Sequence, residues 1–234
     1  SVPDPISGPD DLIVAVQAAG LNRPDIIQRM GNYPQPGIKT DFEIPGLEYA
    51  GEVVQIGNRV EDFKIGDPVM GLLSGGGYAE FVSTPARLAI HRPQELSWHK
   101  AGGTPEVYIT AHDALSQCQL VAGETVLVHA CGSGVGVAAI QIAKTMGASL
   151  VIGTSNSDEK LKQAQALGLD EGINPTQENF AEKIMDVTNG YGVDVILDVI
   201  GANYWEQNFQ SLAINGRIIL VGLMGGAVVP KANI

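Results

Sequence analysis

Residues 125–138 read TVLVHACGSGVGVA, an order of residue types that predicts a strand, a sharp turn and a helix. The continuous apolar run Thr125–Ala130 is typical of a strand buried on both faces of a sheet. Glycines follow at positions 132, 134 and 136, and apolar residues recur at helical spacing over Val135–Met146. A helix that begins directly after such a turn has free backbone N–H groups and a partial positive charge, which together bind phosphate groups. The stretch therefore predicts a site for the pyrophosphate of a dinucleotide.

The spacing of these glycines leaves a second interpretation open. The pattern Gly132-x-Gly134-x-Gly136 is tighter than the usual dinucleotide fingerprint, and a glycine string also occurs in turns that only need close packing. The strand before the glycines and the helix after them favour the dinucleotide interpretation, because this context is what distinguishes the motif.

Strand and helix patterns alternate from residue 120 onwards. Further strands are predicted at Leu150–Thr154, Gly172–Asn174, Val193–Asp198 and Arg217–Gly222, and further helices at Asp158–Leu167, Asn179–Thr188 and Tyr204–Leu212. This alternation predicts a parallel sheet with helices on both faces and right-handed crossovers.

The first half of the chain has a different pattern, with short strands separated by glycine and proline turns. The strands are predicted at Asp11–Ala18, Tyr49–Ile56, Pro68–Leu73 and Tyr78–Ser83, with a short helix around Arg23–Met30. Frequent turns between short strands predict a small β-barrel or an irregular sandwich. A linking helix near Thr104–Gln119 places the expected domain boundary at 119/120, giving domains 1–119 and 120–234.

Composition excludes several classes of protein. The 234 residues carry a net charge of −12, which argues against binding to nucleic acid or to an anionic membrane surface. Two cysteines, Cys118 and Cys131, cannot form a disulfide framework, so a reducing, cytoplasmic location is expected. No apolar run is long enough to span a membrane. The chain begins at Ser1, so it is expected to be processed or to be a piece of a longer protein.

The end of the second parallel strand bears on the choice of dinucleotide. Residues 152–157 read IGTSNS, without the carboxylate that usually binds the adenosine ribose of NAD. Its absence, with Ser157 and Lys160 just beyond, favours NADP(H), whereas Asp158 and Glu159 oppose it by adding negative potential. The alternative is that Lys160 is only a solvated helix residue and that the cofactor preference is loose.

Several motifs in the same order resemble the medium-chain dehydrogenase/reductase superfamily, in its zinc-free quinone oxidoreductase branch. They are Gly46–Val53 (GLEYAGEV), Phe63–Val69 (FKIGDPV), Gly76–Phe81 (GGYAEF) and Ser133–Gly136 with the helix after it. The stretches Ala19–Asp25, Gln28–Tyr33 and Gly222–Gly226 are similar to the tumour-suppressor-inducible quinone oxidoreductase group. The resemblance implies an α/β protein: a GroES-like β-rich catalytic domain plus a Rossmann domain with a doubly wound parallel sheet. Members of the family extend beyond both ends of this chain, so both domains are expected to be incomplete, and the full-length form is expected to be a homodimer.

The resemblance also bears on metal binding. Asn22 and Leu47 stand where zinc-dependent members of the superfamily have a cysteine and a histidine, and only two cysteines are present. We therefore expect no metal. Without a Lewis acid, the reduction of an electron-poor quinone or enone is favoured over the oxidation of an alcohol.

By resemblance, Asn22 and Tyr33 are the candidate catalytic residues. Tyr33 can hydrogen-bond a substrate carbonyl and donate a proton, or it is a packing residue; Asn22 can hold the nicotinamide ribose or the substrate carbonyl, or it is a helix cap. The candidate cofactor-binding residues are Thr110, Ser133, Gly134, Val135, Gly136, Gly153, Thr154, Ser157, Lys160, Gly222, Leu223 and Met224.

Three further positions carry alternatives. Thr110 can instead bond the preceding helical turn. Pro175 stands where the family often has a tyrosine near the adenosine phosphate, which is expected to weaken the preference for NADP(H). Cys131 either has a lowered thiol pKa beside the anion site or, as we favour, only fills the turn.

The predicted activity is NADPH-dependent, metal-free reduction of a small-molecule quinone or activated enone. An enoyl-thioester reductase of the same superfamily is one alternative, and a non-catalytic dinucleotide-binding structural or regulatory protein is another.

Overall fold

A computed structural model describes residues 2–33 and 42–229. Contacts within the chain divide it into two compact units, Ser1–Glu106 and Val107–Ile234. This division lies in the first turn of the linking helix rather than after the helix, because buried residues of that helix, among them Ala111 and Leu115, belong to the core of the second unit.

The first unit contains a five-stranded antiparallel sheet in the order β4-β1-β2-β3-β5. Its elements are β1 (Asp11–Ala18), α1 (Arg23–Arg29), β2 (Glu48–Ile56), β3 (Pro68–Leu72), β4 (Phe81–Pro85), β5 (Ala89–His91) and α2 (Trp98–Gly102). The core of this sheet contains the fully buried Leu12, Val14 and Tyr49. Both β1 and β2 begin with several consecutive buried or half-buried residues, and the sequence pattern predicted both strands, whereas β5 and α2 were not predicted.

One predicted strand of this unit is displaced. The sequence predicted Tyr78–Ser83, but β4 covers Phe81–Pro85. The backbone N–H groups of Gly77 and Tyr78 donate to Gly46 and Pro45 at 2.9 and 3.0 Å, so this segment is bound to another loop and not to the sheet ladder.

The second unit contains a five-stranded parallel sheet in the order β10-β9-β6-β7-β8. Its elements follow the linking helix α3 (Pro105–Gln117): β6 (Thr125–Val128), α4 (Gly134–Thr145), β7 (Leu150–Thr154), α5 (Asp158–Gln165), β8 (Glu171–Ile173), α6 (Phe180–Val187), β9 (Val193–Asp198), α7 (Trp205–Ser211) and β10 (Leu212–Leu220). All the predicted strands and helices of this half are confirmed within a few residues. The last strand differs most, since it begins at Leu212 with an irregular register before Arg217 and ends before Gly222.

The order of the parallel strands determines where a ligand can bind. Strand β6 has β7 on one side and β9 on the other, so the loops after these strands diverge at the carboxyl edge of the sheet. Such a switch point is where open parallel sheets bind ligands. Hydrophobic clusters on both faces, one around Val126 and Val128 and the other around Leu127 and Ile196, hold the strand ends in place.

Across the described part of the chain, the helices are too short or too polar for any of them to cross a lipid bilayer.

Candidate functional site

The glycine-rich turn connects β6 to the first turn of α4. Ser133 is the N-cap of this helix, and its Oγ accepts a hydrogen bond from the backbone N–H of Gly136 at 3.1 Å. Among the described residues, no acceptor binds the backbone N–H groups of Gly134 and Val135. Two free donors at the positive end of a twelve-residue helix are suited to bind an anion.

Each glycine of the turn is required by close contacts within the protein. A Cβ on Gly136 would lie 2.5 Å from the carbonyl oxygen of Ala130, and one on Gly134 would lie 2.8 Å from Val107 Cγ1. A Cβ on Gly132 would lie 2.7 Å from Lys160 Cβ, so the side chain of Lys160 passes directly over the turn. Close packing therefore explains Gly134 and Gly136, while Gly132 allows a cation to lie beside the helix start.

A cavity of about 330 Å³ opens at this edge of the sheet. Five of the predicted cofactor-binding residues line it: Ser133, Thr154, Ser157, Lys160 and Met224. Six further lining residues were not among the predicted ones, namely Ala130, Gly132, Ser155, Asn156, Ile200 and Tyr204. Ile200 and Tyr204 follow β9, and the rule that ligands bind beyond the carboxyl ends of strands could have identified them.

The other predicted cofactor residues of this unit have different surroundings. Gly153 lies in β7, where a Cβ would be 2.7 Å from the side chain of Cys131, so its role there is packing. Thr110 lies within α3. Gly222 and Leu223 follow β10, in a loop tied to the segment after β9 by a hydrogen bond from Met224 N to the carbonyl oxygen of Val199 at 3.1 Å.

Hydrogen bonds order the polar segment after β7, residues 155–160, which forms part of the cavity wall. Ser157 is the N-cap of α5, and its backbone N–H donates to Ser155 Oγ at 3.3 Å. The carboxylate of Asp158 accepts hydrogen bonds from Asn174 at 2.6 Å and from Gln177, and the bond from Asn174 is the main cause of its lowered pKa. The negative charge next to Ser157 is therefore bound by the loop after β8.

Cys131 does not have the properties of a reactive thiol. Its side chain is fully buried, and burial raises its pKa to about 11. The possibility of a lowered thiol pKa is wrong, because burial disfavours the thiolate more than a backbone hydrogen bond favours it. The packing interpretation of Cys131 is the one that agrees with the structure.

In the first unit, Asn22 is held by two buried carboxylates. It is the N-cap of α1; its backbone N–H donates to Asp25 Oδ2 at 2.8 Å, and its Nδ2 donates to Glu48 Oε1 at 2.8 Å. Glu48 Oε2 accepts a hydrogen bond from the backbone N–H of Glu106 at 2.9 Å. Burial raises the pKa of Glu48, and these two hydrogen bonds lower it less. Asn22 is thus a cap residue whose side-chain amide has a fixed orientation.

Tyr33 is half-buried in the same unit. Burial raises the pKa of its phenol, and the charges of Glu106 and Asp25 raise it further. Tyr33 therefore keeps its proton across the neutral range and can act as a hydrogen-bond donor but not as a base. Another tyrosine, Tyr78, donates to Asp25 Oδ2 at 2.7 Å and was not predicted.

Within residues 2–33 and 42–229, no group of three or more His, Cys, Asp or Glu side chains is arranged to hold a metal ion. That the protein works without a metal stays a prediction.

The two units match two family models. Residues 8–94 match the alcohol dehydrogenase GroES-like domain, and residues 134–234 match the zinc-binding dehydrogenase family. Both family models describe domains of dehydrogenases.

Individual relatives narrow this class. The chain is 35% identical over 223 residues to quinone oxidoreductase-like protein 2 homolog of Nematostella vectensis, covering 94% of this chain and 60% of that protein. The structure of quinone oxidoreductase of Pseudomonas syringae pv. Tomato DC3000 is similar with a TM-score of 0.87 and 32% identity, covering 99% of this chain and 71% of that one. CurK enoyl reductase is similar with a TM-score of 0.85 and 31% identity, covering 96% and 69%.

The chain belongs to the medium-chain dehydrogenase/reductase superfamily, in its quinone oxidoreductase branch. It spans about 60% of the length of the curated relative from Nematostella vectensis. The fold predicted from the sequence, a GroES-like domain plus a Rossmann domain, is confirmed.

Proposed function

We propose that the second unit binds NADP(H) and that the protein reduces small quinones or activated enones by hydride transfer. The observation that carries this proposal is the cavity at the carboxyl edge of the parallel sheet. At this cavity the start of α4 after Ser133 offers two free backbone N–H donors. The polar segment after β7, which ends at Lys160, forms another part of the wall. These are the features that a pyrophosphate and a further phosphate require.

The preference for the phosphorylated dinucleotide is supported by the charges of the cavity. No Asp or Glu is among the residues that line it, so a 2′-phosphate meets no carboxylate on the cavity wall. Lys160 is the cation of the lining, and the hydroxyl groups of Ser155 and Ser157 lie close to it in sequence. The nearest acid, Asp158, is bound to Asn174 and Gln177.

The proposed chemistry assigns separate tasks to the two units. A reduced nicotinamide supplies a hydride when it is bound, and the protein contributes orientation and electrostatics. Asn22, with its amide fixed by Glu48, orients a hydroxyl or carbonyl group of cofactor or substrate. Tyr33, which remains a phenol, donates a hydrogen bond and a proton to the substrate oxygen.

The test begins with binding, followed by turnover. NADPH binding is measured by fluorescence, and NADPH consumption is measured with 9,10-phenanthrenequinone, for the wild type and for Tyr33→Phe. We expect binding by both proteins and slower turnover by the variant. Tighter binding of NADH than of NADPH would refute the role of Ser157 and Lys160, and binding without turnover would favour a non-catalytic role.

A second candidate activity is the reduction of an enoyl thioester. It is supported by the similarity to CurK enoyl reductase over 96% of this chain. NADPH consumption with crotonyl-CoA, compared with the quinone at equal concentrations, distinguishes the two substrates.

A further inference from the structure

A chain of buried side chains joins the carboxyl ends of β7, β6 and β9. Thr154 Oγ1 lies 2.8 Å from His129 Nδ1, and His129 Nε2 lies 2.6 Å from Asn208 Oδ1. Asn208 Nδ2 donates to Asp198 Oδ2 at 2.9 Å. All four side chains are at most 1% exposed, and the proposed hydride transfer assigns no task to His129, Asn208 or Asp198.

Asp198 determines the direction of these hydrogen bonds. Its Oδ1 accepts from the backbone N–H groups of Ile200 at 2.6 Å and Gly201 at 3.0 Å. Because a carboxylate only accepts, the group of Asn208 that faces Oδ2 is the NH₂ group. Asn208 then presents its carbonyl oxygen to His129, and this oxygen requires a proton on His129 Nε2.

The remaining bond follows from the charge of the imidazole. Burial lowers the pKa of His129, and this effect exceeds the opposite effects of Asn208 and Asp198. The ring is therefore neutral and carries a single N–H proton, which is on Nε2. Nδ1 is left as an acceptor, so the hydroxyl of Thr154 donates its proton to it. Thr154 Oγ1 then has only lone pairs to offer to any other partner.

The same chain contacts three lining residues of the cavity. Thr154 donates its hydroxyl proton to the imidazole, Ile200 is held through its backbone by Asp198, and the ring of Tyr204 lies 4.8 Å from the ring of His129. We propose that Asp198, Asn208 and His129 are positioning residues that keep Thr154 Oγ1 as a hydrogen-bond acceptor for a donor group of the bound adenine nucleotide.

This inference rests on the proposed function, because it presumes that a nucleotide occupies the cavity. An adenosine carries such donors on its exocyclic amino group and on its ribose hydroxyls. A neutral acceptor binds either group without repelling a phosphate, unlike the carboxylate that binds the ribose in NAD-specific sites. The hydrogen-bonded side chains from Asp198 to Thr154 would thereby take the place of the acid that is absent from residues 152–157.

The first test examines the tautomer of His129 and needs no ligand. Nitrogen-15 NMR of histidine-labelled wild-type protein distinguishes a proton on Nε2 from a proton on Nδ1 and from the charged ring. We expect the Nε2–H form. A proton on Nδ1, or a charged ring at neutral pH, would overturn the proposal, because Thr154 would then be free to donate.

The second test examines the acceptor. Dissociation constants are measured for 5′-AMP, its 2′-deoxy and 3′-deoxy analogues and purine riboside 5′-monophosphate, with the wild type, Thr154→Val and Thr154→Ser. We expect Thr154→Val to bind 5′-AMP about three- to tenfold more weakly, as the loss of one hydrogen bond implies. Thr154→Ser should behave as the wild type. One of the three analogues lacks the group that donates to Thr154 Oγ1. The wild type and Thr154→Val should bind that analogue with equal affinity.

Asn208→Leu provides a test of the chain beyond Thr154. This change removes the acceptor for His129 Nε2, so we expect the nitrogen-15 signals of His129 to change. The affinity for 5′-AMP should fall, whereas the affinity for the analogue without the donor to Thr154 Oγ1 should not. An equal loss for all four nucleotides would indicate a merely structural role and overturn the proposal, as would no loss for any of them. If these results overturn the inference but NADPH still binds, the proposed function stands. If the wild type binds no nucleotide, the inference and the proposed function both fail.

Discussion

Replacing Gly132 by alanine tests whether Lys160 reads a phosphate from its position over the glycine turn. The added Cβ would lie 2.7 Å from Lys160 Cβ and 2.9 Å from its Cδ, whereas ordinary contacts begin at 3.4 Å. The glycine turn and the first turn of α5 must therefore move apart by about 0.7 Å, and the side chain of Lys160 moves with α5. An exposed ion pair contributes about 0.2–1 kcal/mol, so we expect NADPH to bind up to about fivefold more weakly.

The assay is fluorescence titration with NADPH and with NADH, supported by urea unfolding. Affinity for NADH should not change, because NADH lacks the phosphate that Lys160 would bind. The free energy of unfolding should fall by about 1–3 kcal/mol, since the nearest contacted atom, Lys160 Cβ, is fixed to the backbone of α5. Gly103→Ala is the matched control, because a Cβ there would approach only the carbonyl oxygen of His99, at 4.0 Å.

The result that would refute this reasoning comes from the double variant. If Gly132→Ala weakens NADPH binding by displacing the ammonium group of Lys160, it should not change the ratio of NADPH affinity to NADH affinity in a Lys160→Ala background, although the contact with Cβ of residue 160 remains there. A further loss of affinity in that background, or an equal loss for NADH and NADPH, would show that the alanine disturbs the pyrophosphate turn itself.

Three further predictions concern reactivity and stability. Because burial raises the pKa of Cys131 to about 11, iodoacetamide at pH 8 should alkylate it only after unfolding, as judged by mass spectrometry; modification of the native protein would contradict this. Burial, with the charges of Glu48 and Asp25, raises the pKa of Glu106, so the folded state loses stability as pH rises through that pKa. Glu106→Gln should therefore raise the urea midpoint more at pH 8 than at pH 4, and an equal rise at both would argue against burial of the charge. Ala130 has a φ of 48°, a left-handed conformation that costs about 1–2 kcal/mol, while glycine adds about 0.4–1 kcal/mol of unfolded-state entropy. Ala130→Gly should thus raise the free energy of unfolding by up to about 1 kcal/mol, and a decrease would show that the methyl group has a packing role.

The parallel half of the fold was predictable because its signals are local. Strands such as Val193–Asp198 are buried at every residue and consist mostly of apolar residues, and this strand is followed by a turn and a helix pattern, so neighbouring residues specify the element. The antiparallel half was predicted less completely. Strand β5 has three residues, of which two are exposed, and its pairing with β3 has no counterpart in the sequence pattern.

The residues of the candidate site were likewise predicted only in part from the sequence. Ser133, Ser157 and Lys160 lie next to recognisable helix starts and were predicted as cofactor-binding residues; all three line the cavity, and their binding of a cofactor stays a prediction. Tyr204 and Ile200 line the same cavity but come from a loop after β9, and they enter the site only through the order of the strands.

The sequence by itself determined the class of fold, the glycine turn and the absence of an acid at the end of β7, since each depends on residues adjacent in the chain. Only the tertiary structure decided what these residues do. It showed that Gly132 lies against the side chain of Lys160, that burial raises the pKa of the Cys131 thiol, and that hydrogen bonds link Asp198 to the hydroxyl of Thr154 through two intervening side chains. These properties depend on burial and on hydrogen bonds between residues as far as 79 positions apart, as between His129 and Asn208. Such contacts form only when the parallel strands bring their carboxyl ends to one edge of the sheet.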